Sequence, residues 1–214
     1  TYELTTEDFK WTKSGDKYVR VAKDETNRYS NLYALSQGCK GIKAGEISYD
    51  TNEDDIDDQF ITDGNYSILI KDGTFNINSD DDGIHTNYGN TYIEGGDISI
   101  STKDDGITSD YLTKVDGGTI NIQESSEGIE GNTVEVTGGN ISIISSDDGI
   151  NAANDEVKDT KYICLTGGEI FINAEGDGID SNGSIYIDGS NVTVYGPTAN
   201  NNGGLDSETG IIIN

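Results

Sequence analysis

Isoleucine and valine alternate with polar residues along most of this chain, in short runs separated by glycine. The pairs that alternation places on one face are Ile98/Ile100, Ile120/Ile122, Ile141/Ile143, Ile170/Ile172, Ile185/Ile187 and Val192/Val194. A period of two indicates β-strands with one buried face. Near-copies of an Asp-Asp-Gly-Ile motif lie between these pairs, as in "KDDGITS" at 103–109 and "SDDGINA" at 146–152.

The repeat is about 22 residues long, as measured between the glycines that precede an isoleucine or leucine: Gly83, Gly106, Gly128, Gly149, Gly178 and Gly204. The successive spacings are 23, 22, 21, 29 and 26 residues, and the long ones contain extra loop residues. Each unit holds three short strands and cannot bury its own apolar residues, whereas stacked units can. The sequence therefore predicts an all-β fold, a right-handed parallel β-helix.

Two other repeat folds fit less well. A leucine-rich repeat needs a helix-forming or asparagine-ladder consensus, and RTX-type calcium solenoids need "GGxGxD"; neither pattern is present. Residues 1–30 lack the repeat, and "DFKWTKSGDKYVRVA" predicts a hairpin about "SGDK". We therefore expect a short N-terminal β cap at 1–30, or a linker from an upstream domain, and a β-helix domain at 31–214.

Charge narrows the range of partners. Thirteen lysines and arginines oppose 40 acidic residues, for a formal net charge of −27. Residues 44–214 carry five basic and 34 acidic residues and sum to −29, whereas residues 1–43 sum to +2. This charge excludes a nucleic-acid phosphate binder. Without a long apolar run, we expect no direct membrane insertion.

Two further features concern the covalent chain. It contains no methionine, even at position 1, so we expect a processed or trimmed piece of a longer chain. Cys39 and Cys164 lie several repeats apart. We therefore expect them to be too distant for a disulfide.

Acidic residues recur at equivalent positions of the predicted coils. Because stacked coils lie about 4.8 Å apart, these carboxylates form columns that repel without compensation. Calcium takes several oxygen ligands at about 2.4 Å, and the lack of a His/Cys cluster favours it over zinc or copper. Solvated turn residues are the alternative. The predicted ligands of several Ca²⁺ ions are Asp81, Asp82, Asp104, Asp105, Glu127, Glu130, Asp147, Asp148, Asn151, Asp177, Asp180 and Asp206.

These coils, and above all "GDGIDSNGSIYIDGSNVTVYGPTANNNGGLDSE" at 176–208, resemble a family of secreted bacterial calcium-binding, carbohydrate-binding β-helix proteins. That family is similar in fold to family 9 polysaccharide (pectate) lyases. The resemblance covers residues 65–214 well, 31–64 weakly and 1–30 not at all. It implies calcium between coils, an extracellular or cell-surface location, and binding to cellulose and to acidic plant polysaccharides such as pectin.

The same residues favour a binding function over an enzymatic one. A pectate lyase needs a lysine or arginine base beside calcium. Lys103 adjoins a predicted calcium site, but Asp104 and Asp105 should keep it protonated, and Lys43 lies in the least regular coil. A glycosidase needs one carboxylic acid held protonated near a second carboxylate, which bound calcium opposes. We therefore expect no catalysis, with polysaccharide lyase activity as an alternative.

Outward-facing aromatic residues are the candidate sugar-binding groups, because aromatic rings stack on sugar faces. Alternation places Tyr92 and Tyr186 outward on one set of strands and Phe171 and Tyr195 outward on the next. Together with Ile144, the last two form an apolar diagonal over consecutive coils. Incidental exposure of these side chains is the alternative.

The predicted function is calcium-dependent binding of pectin, polygalacturonate or cellulose. A calcium-rigidified structural, adhesin or filament subunit, with end-to-end or homo-oligomeric contacts, is the alternative. His85, the only histidine, lies in the outward column two residues after the aligned glycine. We expect it to be solvated.

Overall fold

The computed structural model describes residues 9–14, 17–22, 31–35, 39–45, 66–153 and 160–214. Throughout these ranges the regular structure is β-strand, and no helix has the length and apolar character of a membrane span. Strands β1 (Phe9–Ser14) and β2 (Lys17–Ala22) pair in antiparallel fashion, with Ser14 opposite Lys17. The predicted hairpin is therefore present, while the role of residues 1–30 as a cap stays a prediction.

The remaining strands, numbered along the chain, form three parallel sheets of seven strands. Sheet 1 contains β3 (Asn31–Leu35), β6 (Thr74–Ser79), β9 (Asp97–Thr102), β12 (Thr119–Glu124), β15 (Asn140–Ser145), β18 (Glu169–Ala174) and β21 (Asn191–Tyr195). Sheet 2 contains β4 (Ile42–Ala44), β7 (Ile84–Thr86), β10 (Ile107–Ser109), β13 (Ile129–Gly131), β16 (Ile150–Ala152), β19 (Ile179–Ser181) and β22 (Leu205–Ser207). Sheet 3 contains β5 (Tyr66–Ile70), β8 (Gly89–Ile93), β11 (Leu112–Val115), β14 (Thr133–Val136), β17 (Tyr162–Leu165), β20 (Ser184–Ile187) and β23 (Gly210–Ile213).

Each coil takes one strand from each sheet, and the coils stack in the register that the sequence predicts. In sheet 2 the aligned apolar residues pair in the order Ile42, Ile84, Ile107, Ile129, Ile150, Ile179 and Leu205. The chain is therefore a parallel β-solenoid, and the predicted all-β class and repeat are confirmed.

The core is a stack of isoleucines between the three sheets. The inward pairs of β9, β12, β15 and β18 are all at most 2% exposed: Ile98, Ile100, Ile120, Ile122, Ile141, Ile143, Ile170 and Ile172. Val192 and Val194 of β21 are partly buried against them. Because a single coil buries little apolar surface, stability comes from contacts between neighbouring coils.

Two sets of glycines serve different purposes. Gly73, Gly96, Gly118, Gly139, Gly168 and Gly189 have φ between 86° and 126°, in the left-handed region that favours glycine. The glycines that precede the strands of sheet 2 are needed for a different reason: the next coil lies too close to leave room for a Cβ. A Cβ on Gly106 would lie 2.5 Å from the Gly128 carbonyl oxygen and 2.8 Å from Ile122 Cδ1. The loops entering sheet 2 are thus pressed against the next coil.

Cys39 and Cys164 do not form a disulfide with each other. Cys164 lies on β17, whereas Cys39 precedes β4 near the other end of the stack. Their separation by several coils agrees with the sequence prediction.

Candidate functional site

A column of side chains lies along the loops that enter sheet 2. Its members are the residues before the aligned glycines: Lys40, Asp82, Asp105, Glu127, Asp148, Asp177 and Gly203. They are in register, because the N–H of each following glycine donates to the carbonyl of the next member at 2.8 to 3.1 Å. The carboxylates therefore stack coil upon coil as the sequence suggests, and the column begins at Lys40.

Several acids of this column use one carboxylate oxygen to hold the next coil. Asp82 Oδ1 accepts the backbone N–H of Asp105 at 3.2 Å. Asp105 Oδ1 accepts that of Glu127 at 3.3 Å, and Asp148 Oδ1 accepts that of Asp177 at 2.6 Å. These hydrogen bonds give the acids a structural role that needs no metal. The second carboxylate oxygen of Asp82 contacts Lys40 and His85.

Three groups of acids converge closely enough to hold a metal ion. In each group the ligand oxygens lie within 4.8 Å of one another. We number them from the N-terminal side as triad 1 (Asp81, Asp82, Asp104), triad 2 (Asp105, Glu127, Glu130) and triad 3 (Asp177, Asp180, Asp206). All nine residues are among the twelve that the sequence nominates, and their role as ligands stays a prediction.

Asp147, Asp148 and Asn151 do not join a triad of acids within the described residues. Asp147 Oδ1 and Asp148 Oδ1 flank Gly176, where they would lie 2.5 and 2.6 Å from an added Cβ. Asn151 turns toward triad 2 instead, and its Nδ2 donates to Glu127 Oε2 at 3.0 Å. The Asn151 side chain thereby adds an amide to the surroundings of triad 2.

The amide oxygen of Asn151, Oδ1, accepts no hydrogen bond from the described residues. Asn151 is 6% exposed, and its Oδ1 is buried without a hydrogen-bond partner. A buried polar atom without a partner costs about 1–3 kcal/mol. A bound ligand would satisfy this oxygen.

Triad 2 is partly buried, and its carboxylates repel one another. Burial and the charge of Asp105 raise the pKa of Glu127 to about 8, and burial and the charge of Glu127 raise the pKa of Glu130 to about 9. Burial and the charge of Asp82 raise the pKa of Asp105 to about 6. Thr108 Oγ1 donates to Glu130 Oε2 at 2.7 Å. Across the described ranges no lysine, arginine or histidine forms an ion pair with this triad.

Triad 1 already contains a protein cation, Lys40, and a histidine lies beside it. Lys40 Nζ lies 2.9 Å from Asp81 Oδ1 and also contacts Asp82 Oδ2. His85 Nδ1 lies 2.6 Å from Asp82 Oδ2, an ion-pair distance rather than a well-directed hydrogen bond. Burial would raise the pKa of Asp82, but the contacts with His85 and Lys40 lower it below its ordinary value.

The expectation that His85 is solvated is wrong. Its side chain is 13% exposed, between Lys43 and Thr108 in the outward column of sheet 2. Sequence reasoning also missed Lys40, although the signal was present, since Lys40 precedes Gly41 as each acid precedes its glycine. Lys103 is 72% exposed and pairs with Asp80 rather than with its neighbours in sequence, at 2.5 Å.

A groove of about 460 Å³ joins triads 1 and 2 over the outer face of sheet 2. It is lined by Lys40, Asp82, His85, Asp104, Asp105, Thr108, Ser109, Asp110, Glu130 and Ala153. The lining is polar and contains a lysine, a histidine and several carboxylates. Such a groove suits a hydroxyl-rich ligand better than an apolar one.

The aromatic candidates fall on two different sheets. Phe171 and Tyr195 are exposed on sheet 1, with ring centroids 5.5 Å apart, and Ile144 is exposed on the preceding coil. Tyr92 and Tyr186 lie on sheet 3, with β11, β14 and β17 between their strands. The structure therefore brings together Phe171 and Tyr195 but separates them from the other pair.

One solved structure resembles this chain along almost its whole length. It is described as the polysaccharide lyase-like protein from C. thermocellum, in a gadolinium derivative. The similarity covers 97% of both chains, with a TM-score of 0.53 and 18% sequence identity. At this identity the likeness shows the β-solenoid fold. A search of curated proteins gave no match.

A family model matches this sequence twice, over residues 36–130 and 105–213. The two matches overlap across the coils of β10 to β13, as expected for a repetitive fold. Together they span residues 36–213, most of the chain. The chain therefore belongs to the family described as carbohydrate-binding domain-containing proteins.

Proposed function

We propose that this chain is a non-catalytic, calcium-dependent binder of plant cell-wall polysaccharide that acts outside a bacterial cell. Membership of a carbohydrate-binding family supports the class of ligand. Pectin or polygalacturonate and cellulose are the polymers we infer. The resemblance of residues 176–208 to secreted calcium-binding β-helix proteins supports the location and the ion.

The observation that carries the calcium assignment is triad 2 with Asn151. Three carboxylates lie with oxygens within 4.8 Å of one another, and a buried amide oxygen on the neighbouring coil lacks a partner. Carboxylate and amide oxygens are the ligands that calcium prefers, at about 2.4 Å each. Asp105, Glu127, Glu130 and Asn151 therefore fit a calcium ion, which would supply the missing positive charge.

Calcium also explains how so acidic a protein binds an acidic polymer. A chain of net charge −27 repels polygalacturonate unless cations lie between them. An ion held in triad 2 lies at the edge of the polar groove and can bind a uronate carboxylate there. Neutral glucan has no such charge, and Phe171 and Tyr195 offer it adjacent exposed rings for stacking.

Polymer pull-down with and without chelator tests this function. We expect insoluble polygalacturonate to deplete the protein in calcium and to release it in EDTA. Binding in EDTA equal to that in calcium would contradict the bridging role of the ion. Retention by neither pectin nor cellulose would overturn the proposed ligand. Multimers forming in calcium without polymer would favour the structural-subunit alternative.

The lyase alternative has a specific obstacle in this groove. Lys40 is the groove's lysine. Burial lowers its pKa, but the contacts with Asp82 and Asp81 outweigh this and raise the pKa above its ordinary value. A lysine held protonated cannot remove a proton from substrate. We therefore expect no unsaturated-product absorbance on polygalacturonate with calcium at neutral or alkaline pH, and a steady rise in absorbance would establish an enzyme.

A further inference from the structure

Lys40 takes the position that acids take in the following coils. The Gly41 N–H donates to the Asp82 carbonyl at 2.9 Å, and the Gly83 N–H donates to the Asp105 carbonyl at 2.8 Å. Lys40, Asp82 and Asp105 are thus equivalent residues of successive coils. The column therefore changes from positive to negative between its first and second members.

The Lys40 side chain reaches the oxygens of triad 1. Its Nζ lies 2.9 Å from Asp81 Oδ1 and contacts Asp82 Oδ2. The side chain is 18% exposed, and that of Asp82 is 4% exposed, so water screens this pair little. An ammonium carries three donors and no acceptor, which suits a cluster of carboxylate oxygens.

Triads 2 and 3 have no lysine in contact with their acids within the described residues. In the part of the chain that the structure describes, no lysine, arginine or histidine pairs with their carboxylates. All three triads meet the same 4.8 Å limit between ligand oxygens. Triad 1 therefore differs in the cation that it contains, although its acids meet the same limit of convergence.

We propose that the Lys40 ammonium is the built-in cation of triad 1, so that this triad takes no divalent ion and the metal row begins at triad 2. A divalent ion in triad 1 would have to break the contacts of Lys40 with Asp81 and Asp82. The inference rests on the proposed calcium binding for the rest of the row. The Lys40 contacts themselves do not depend on it.

The test counts the calcium ions bound by each protein, by equilibrium dialysis at neutral pH. Lys40→Met keeps an unbranched side chain and removes the charge, so we expect it to bind one ion more than the wild type. Lys40→Arg keeps the charge and should bind the wild-type number. Lys103→Met is the matched control, because Lys103 is 72% exposed and pairs with Asp80 outside the triads. Adding Asp81→Asn to Lys40→Met should remove the extra ion.

Each result separates this inference from the proposed function. If the wild type binds calcium and Lys40→Met binds the same number, the inference is overturned and calcium binding stands. If no variant binds calcium, both are overturned. If only Lys40→Met binds, the role of Lys40 as the cation of triad 1 stands, but calcium binding by the native protein and the metal row that begins at triad 2 are overturned.

A second readout guards against a variant that folds poorly in chelator. Calcium should raise the Tm of Lys40→Met more than it raises the Tm of the wild type, since the variant gains a site that only its folded state offers. An equal or smaller rise would overturn the inference. Lys40→Gln, which is shorter and neutral, should behave as Lys40→Met does.

Discussion

Asn151 donates its Nδ2 to Glu127 Oε2 at 3.0 Å across two neighbouring coils, and its own Oδ1 is left buried without a partner. The hydrogen bond fixes a carboxylate of triad 2 and holds the amide close to it. A neutral oxygen is thereby added to a group of three acids. This pair links the stacking of the repeat, which places the two residues on neighbouring coils, to the chemistry of the proposed calcium site.

Replacing Asn151 by alanine should weaken calcium binding. The change removes the bond to Glu127 and a neutral oxygen, so we expect the calcium concentration at half-saturation to rise by about tenfold, the equivalent of about 1.4 kcal/mol. Isothermal titration calorimetry measures it. Asn140→Ala, at an exposed position of β15, is the control and should bind as the wild type does. Unchanged affinity in Asn151→Ala would remove Asn151 from the site.

The stability of the metal-free protein should fall as pH rises. Glu127 and Glu130 have an ordinary pKa of 4.5 and folded-state values of about 8 and about 9. Between these values the folded state binds more protons than the unfolded chain, so the free energy of unfolding decreases with pH. We expect the Tm in EDTA to drop from about pH 5 to about pH 9.

Calcium should reverse that trend, because the ion replaces the protons that the two glutamates hold. The rise in Tm on adding calcium should therefore be larger at pH 8 than at pH 5. Combined Glu127→Gln and Glu130→Gln substitutions should flatten the profile in EDTA, since neither amide titrates. A wild-type Tm that stays level or climbs with pH in EDTA would show that these carboxyls are not proton-bound in the folded state.

Gly106→Ala should destabilise the solenoid. Its Cβ would lie 2.5 Å from the Gly128 carbonyl oxygen, so the coils must move apart, at a cost of about 1–3 kcal/mol. Urea denaturation followed by circular dichroism measures the loss. Gly204→Ala is the matched control, because it is an aligned glycine with nothing within 4 Å of the added Cβ. Equal losses at both positions would mean that close stacking is not the reason for glycine.

Phe171→Ala should weaken retention on cellulose while leaving the fold unchanged. Phe171 is 41% exposed and pairs with Tyr195. Surface substitutions of this kind change stability by about 0.5 kcal/mol or less. Leu69→Ala, an exposed apolar residue of sheet 3, is the control. Cellulose pull-down that is indifferent to Phe171→Ala would leave this pair as incidental surface aromatics.

The solenoid follows from the repeat in the sequence. Its period, its inward isoleucines and its glycines are local features that repeat, and stacking turns each repeat into a column. That is why Ile107 pairs with Ile84 and Ile129, and why Asp82, Asp105 and Glu127 are aligned, as the spacing predicts.

Which members of the columns come into contact depends on how the coils pack. The position of a residue in a column does not predict which carboxylate oxygen accepts a neighbouring N–H. It also does not predict how far a lysine side chain extends or which amide is buried. Lys40 enters triad 1 because its long side chain spans to the next coil, and Asn151 turns to Glu127 rather than joining Asp147 and Asp148. Side-chain reach, burial and competing hydrogen bonds are properties of the packed coils, and the repeat pattern does not contain them.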